Sequence, residues 1–246
     1  MSGHSKWSTI KRKKGAADAK RSKMFSRVSK EIQIAAREGG PDPEMNPSLR
    51  LAVNNAKGIN MPKDNIERAI SRASKEADAL QEATFEGYAP HGIAIFVECL
   101  TDNNNRTVSN IRAIFTKRGG SLGTNGSVAF MFDRKGVLTV PRGELDPDEF
   151  ELEVIDAGVE DIELEDEAFI LTCALEDFGN VQKKLDELGV EAENAELMRI
   201  PHETKELSND EALKVLRIID EFEEDEDVQN VWHNLELTDS LVEAMD

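Results

Sequence analysis

The chain has 246 residues, of which 39% are hydrophobic, 32% charged and only 5% aromatic. This is enough for one to three compact domains whose cores are mainly Ile, Leu, Val and Ala. No run approaches the ~18 apolar residues of a membrane span, and the basic N-terminus has no apolar stretch behind it, so a secretory signal is excluded. Cys99 and Cys173 lie in apolar stretches and supply neither a disulfide framework nor a cysteine-based zinc site. The expected location is the cytoplasm.

The first 16 residues, MSGHSKWSTIKRKKGA, have no period and form a basic arm. A helix is expected from Ala17, with Met24, Val28, Ile32 and Ala35 on one stripe, ending at Gly39-Gly40-Pro41. Asn46-Pro47 opens a second helix with Leu49, Ala52, Val53 and Ala56 facing inward, closed by Gly58. A third begins near Pro62 and turns Ile66, Ala69, Ile70 and Ala73 inward. Around Leu80 the period changes, and Ala83–Tyr88 and Ile93–Leu100 are expected as strands. Asp102–Asn105 then caps a helix with Val108, Ile111 and Phe115 inside, and Val128–Asp133 is expected as another strand.

From Val137 to Ile200 the pattern is strand, helix, strand, strand, helix, strand, the ferredoxin-like order. Its helices start at Asp146-Pro147 and near Asp177, and the second stops at Gly189. The capping box Ser208-Asn-Asp-Glu211 opens one more helix, and Val228–Leu235 is a last strand. The elements before Arg134 lack a helix and a strand, and these appear only after Pro201. The expected fold is therefore α+β with an insertion. A basic arm (1–16) leads into a helical domain (17–79). A discontinuous α/β sandwich (80–134 plus 202–246) then carries an inserted ferredoxin-like domain (135–201).

The net charge of −19 is unevenly distributed. Residues 1–30 hold ten Lys or Arg against one acid, Asp18; the remaining 20 basic and 48 acidic residues give −28. An acidic body repels nucleic acid at long range, so a polyanion contact must be local, and a basic segment makes one by releasing counterions from phosphates. The candidate contacts are Lys6, Lys11, Arg12, Lys13 and Lys14, continued along the first helix by Lys20, Arg21, Lys23 and Arg27, with Trp7 available to stack on a base. The competing roles of such a segment are a solubilising tail and a clasp folded back on acidic surface.

Other motifs carry less chemistry. Gly119–Ser127 is rich in glycine but runs from helix to strand, the reverse of a phosphate loop, and no Gly-Lys-Ser/Thr follows. It serves as a tight connection whose amides remain available to a phosphate. Asp102–Thr107 does run from strand to helix, and Arg106, Lys117 and Arg118 are secondary phosphate candidates. The four histidines, His4, His91, His202 and His233, are scattered, and no nucleophile has a partner at catalytic spacing, so no enzyme, metal or cofactor is expected. Asp220–Asp227 lacks the glycine and spacing of a calcium loop and is expected as a solvated helix end, or a dock for a basic partner.

Several of these segments together resemble the YebC/PmpR family. They are Met1–Trp7 with the basic run and Ala16–Lys20, then Asn60–Ala69, Glu86-Gly-Tyr88, Asp102–Thr107 and Gly119–Phe132, and finally Asp227–Val231 with Asn234. Two positions depart from the family pattern: His91 stands where glycine is expected, and Trp232 where tyrosine is usual. The resemblance implies a three-domain α/β protein without catalytic residues or cofactor. Family members are described as transcriptional regulators that bind DNA. Others, including the mitochondrial translational activator of cytochrome c oxidase, are ribosome-associated, and bacterial members are linked to relief of stalling at proline-rich stretches. Mitochondrial members carry a presequence ahead of the motif; here the motif begins at Met1, so the resemblance implies a bacterial cytoplasmic protein. The implied partner is DNA, or else RNA within the ribosome, with no membrane or small-molecule substrate.

Overall fold

The computed structural model describes residues 18–73, 80–165 and 167–244. The protein is mixed α+β and divides into two compact units. One comprises residues up to Lys30, Ser74–Asp133 and Pro201–Asp246; the other comprises Glu31–Ala73 and Arg134–Ile200. Among the described residues, the N-terminal region forms α1 (Asp18–Gly39), α2 (Pro47–Gly58) and α3 (Lys63–Arg72).

In the first unit, β1 (Gln81–Ala89) and β2 (Ile93–Thr101) form an antiparallel hairpin, with Tyr88 opposite Ala94 and Gln81 opposite Thr101. Its turn places His91 at φ 64°, in the left-handed region that favours glycine, which accounts for the glycine expected there. Next come α4 (Asn104–Lys117) and the two-residue β3 (Ser121–Leu122). After Pro201 the unit adds α7 (Asn209–Glu224), β8 (Val228–His233) and the short α8 (Asp239–Glu243). The sheet order is β3-β1-β2-β8. The discontinuity is visible in the ladder, where Val97 of β2 pairs with Val231 of β8. The apolar faces of α4 and α7 share a core with the sheet, centred on Ile95, Val97, Ile111, Ile219 and the rings of Phe115 and Phe222, whose centroids are 4.7 Å apart. Ser208 and Glu211 cap α7, the Glu211 carboxylate accepting from the Ser208 hydroxyl at 2.7 Å.

One expected strand is displaced. Residues 129–131 form a 3-10 turn, and the extended chain begins only at β4 (Phe132–Pro141). The first sheet takes β3 instead, within the glycine-rich loop. The cause is Glu86: its carboxylate draws in the N–H groups of Val128 and Ala129, which a ladder would otherwise use.

The second unit contains β4, α5 (Pro147–Asp156), β5 (Val159–Glu165), β6 (Ala168–Ala174), α6 (Phe178–Glu187) and β7 (Asn194–Pro201). The sheet order β5-β6-β4-β7 is the ferredoxin-like arrangement. Asp146 caps α5 by accepting from the N–H groups of Asp148 and Glu149. Leu138, Phe150, Phe169, Leu171, Val181 and Leu185 form the core. The helix α2 joins this unit through Asn55, whose amide donates to the Ala195 carbonyl at 2.9 Å and accepts from its N–H at 3.1 Å. Asn46 is buried; its Oδ1 caps α2 while its Nδ2 donates to Ala35 at the end of α1.

Candidate nucleic-acid interface

Lys6, Trp7, Lys11, Arg12, Lys13 and Lys14 lie outside the described residues, as do the side chains of Lys20 and Arg21. The basic face of α1 is described from Lys23 onward. Lys23, Arg27 and Lys30 follow one another at i, i+4 and i+7, so they share one side of the helix. All three donate to main-chain oxygens around the C-terminal end of α7. Lys23 Nζ reaches the Glu224 carbonyl at 3.0 Å, Arg27 the Glu223 carbonyl, and Lys30 Nζ the Glu226 carbonyl at 2.7 Å. The last carbonyls of a helix have no partners within it and carry partial negative charge, so cations are favoured there. The acidic stretch, expected as a solvated helix end or a dock for a basic partner, is therefore an intramolecular dock for α1.

Below this contact lies a polar cluster built on Asp227, which is buried. Arg106 meets its carboxylate with both Nε, at 3.3 Å, and a terminal nitrogen, at 2.8 Å. The Thr107 hydroxyl donates to it at 2.9 Å, and Lys30 Nζ stands 3.6 Å away. Burial alone would push the Asp227 carboxyl up. The hydrogen bonds from Arg106 and Thr107, helped by the charges of Arg106 and Lys30, outweigh it and hold the group below its usual range. Asp102 also accepts from Arg106 at 2.9 Å.

The other two secondary candidates are held in the same way. Lys117 and Arg118 both bond the Glu221 carboxylate at 2.6 Å, and these hydrogen bonds lower its pKa. Arg106, Lys117 and Arg118 thus face acids of their own chain. The glycine-rich loop is equally committed. Glu86, only 4% exposed, accepts from Gly126, Val128 and Ala129 N–H groups at 2.6–2.8 Å, while the Gly123 N–H donates to the Glu86 carbonyl at 2.7 Å. Of the loop amides expected to be open to a phosphate, that of Gly126 closes on this carboxylate, and those of Gly119, Gly120, Gly123 and Ser127 close on main-chain carbonyls. Cys99 and Cys173 are buried, and desolvation raises their pKa values to about 12 and about 11, so neither is an activated thiol. Among the described residues no group of three or more His, Cys, Asp or Glu is placed to hold a metal ion, and no helix is long and apolar enough to cross a membrane.

The model of the TACO1/YebC N-terminal domain matches residues 5–76, and that of the TACO1/YebC second and third domains matches residues 80–235. The chain belongs to the TACO1/YebC family. A relative from Rubrobacter xylanophilus, named probable transcriptional regulatory protein, is 50% identical over 245 residues, 98% of both chains. One of the same name from Geobacillus thermodenitrificans is 47% identical over 247 residues, 99% of both. A crystal structure of a conserved hypothetical protein from Aquifex aeolicus superposes with a TM-score of 0.79 at 41% identity, covering 90% of this chain and 93% of the other.

Of the residues that organise this TACO1/YebC protein, sequence reasoning missed the roles of Lys30, Glu86, Glu221 and Asp227. Glu86 and Asp227 do fall inside two of the segments that carry the family resemblance, and that was the available signal.

Proposed function

We propose that this chain is a non-enzymatic regulator of gene expression that binds nucleic acid, acting on DNA as a transcriptional regulator. The observation that carries this is the charge distribution: a +9 segment of thirty residues leads a body of −28. On such a molecule phosphate contact is confined to that segment, where Lys and Arg release condensed counterions. The contacts are Lys6, Lys11, Arg12, Lys13 and Lys14, continued by Lys20, Arg21, Lys23 and Arg27, with Trp7 placed among them to stack on an unpaired base. The names of the relatives, as probable transcriptional regulatory proteins, agree with this reading.

One observation favours RNA, as part of a ribosome-associated role. A DNA-reading helix presents several base-contacting side chains to the major groove. The exposed side of α3 offers Lys63, Arg68 and Arg72, with Glu67 paired to Lys63 at 3.6 Å. Recognition by phosphate contact and stacking suits a basic arm with one tryptophan better. Two experiments separate the readings: gel-shift competition between duplex DNA and single-stranded RNA, and sedimentation of ribosomes from cells with and without ribonuclease treatment. Preference for duplex DNA without ribosome co-sedimentation supports the transcriptional reading. Ribonuclease-sensitive co-sedimentation with preference for RNA replaces it with the translational one.

A further inference from the structure

The three α1 cations that sit on the end of α7 make a structural contact whose acceptors have a particular chemistry. Between Glu221 and Asp227, six of seven residues are acids, and the main chain there presents the oxygens of Glu223, Glu224 and Glu226 to Lys23, Arg27 and Lys30. A row of negatively polarised oxygens along a chain, surrounded by carboxylates, offers these donors what a phosphodiester backbone offers. We propose that the end of α7 is an intramolecular competitor for nucleic acid, masking the α1 part of the basic segment until a polyanion displaces it. The inference rests on the nucleic-acid reading of residues 1–30 and adds a regulatory step to it.

The contact is graded. Lys23 is bound in an exposed contact, whereas Lys30 has three acceptors, the Leu100 and Glu226 carbonyls and the buried Asp227 carboxylate. Displacement therefore begins at Lys23, passes to Arg27, and stops at Lys30, which stays with Asp227. The exchange needs little desolvation at Lys23 and Arg27, because one charge-assisted acceptor replaces another. Nucleic acid that reaches the arm first then recruits two more cations, and binding becomes tighter than the arm alone provides.

The test uses the full chain and two probes, a short duplex DNA and a single-stranded RNA, because both present phosphodiesters. The double variant Glu224→Gln, Glu226→Gln neutralises the exposed side chains of the two residues whose main-chain oxygens accept from Lys23 and Lys30. The control Glu144→Gln, Asp156→Asn removes two exposed carboxylates in the second unit and gives the same net charge. The α7 variant is expected to bind its preferred probe about three- to tenfold more tightly than the wild type, and the control within about twofold, since screened charges act mainly over a Debye length. Saturating probe is also expected to speed hydrogen exchange at the wild-type Asp225 and Val228 amides, which close the end of α7 onto Phe222 and Asp225. Equal tightening in both variants, or unchanged exchange at saturation, overturns the masking. A charge reversal of Lys11–Lys14 that leaves affinity unchanged overturns instead the assignment of the arm. Failure of the wild type to bind either probe overturns both.

Discussion

Removing the Glu86 carboxylate tests the claim that this one side chain sets the course of the glycine-rich loop. Three N–H groups converge on it, from Gly126 at 2.6 Å, Val128 at 2.7 Å and Ala129 at 2.8 Å. Val128 is buried, so in Glu86→Ala its N–H is left without an acceptor, at a cost of about 1–3 kcal/mol. Gly126 is exposed and Ala129 half-buried, so water recovers part of their loss, and each adds about 0.5–1 kcal/mol. A total near 3 kcal/mol corresponds to about a hundredfold in a local opening equilibrium. Amide-resolved hydrogen exchange by NMR reads this directly, with Leu138 and Leu171 in the second unit as internal controls. Protection at Gly126, Val128 and Ala129 is expected to fall by about two orders of magnitude in Glu86→Ala. In Glu86→Gln, which keeps one acceptor oxygen but places a donor against a donor, the fall is about one order. A change below threefold at all three amides would show that the loop holds its course without Glu86.

Three further outcomes follow from the geometry. Asp227 is held below its ordinary value in the folded protein, so its contribution is full above about pH 4 and is lost as pH falls through the folded value; Asp227→Asn should cost about 2–4 kcal/mol at neutral pH in denaturant unfolding and flatten the acid limb. At His91, φ 64° strains any side chain, so His91→Gly should be at least as stable as the parent, while His91→Val should lose about 1–2 kcal/mol in the same assay. A Cβ at Gly58 would overlap the Glu193 carbonyl oxygen, and Gly58→Ala should therefore lower the melting temperature of the second unit, at a cost of about 1–3 kcal/mol.

The parts of the fold that the sequence made legible are those with a local period. The stripes of α1, α4 and α7 and the alternating ferredoxin-like unit repeat within a few residues, and a missing helix and strand reappearing after Pro201 signal the discontinuous sheet. The exception, Val128–Asp133, has the apolar composition of a strand, but its amides answer to a carboxylate more than forty positions upstream, and composition cannot register that. The same distance hides the α1 contact. Lys30 and Asp227 are almost two hundred positions apart, as are Arg27 and Glu223. A charge count reports that cations and acids exist, while their pairing depends on where the fold returns the chain. This is why Lys23 and Arg27 read as free phosphate contacts in the sequence and are bound to α7 in the structure.

The reading that the N-terminal segment holds nucleic acid is tested most directly by the salt dependence of binding, measured for the wild type and for a variant with Lys11, Lys13 and Lys14 changed to Glu and Arg12 also changed to Glu. If about five cations meet phosphates of a duplex, log affinity should fall against log salt with a slope of about −4 to −5 for the wild type. The variant should bind more weakly, with a flatter slope and an unchanged melting temperature. Unchanged affinity and slope together with a lowered melting temperature would contradict this, and would make the whole segment a structural clasp on the acidic body.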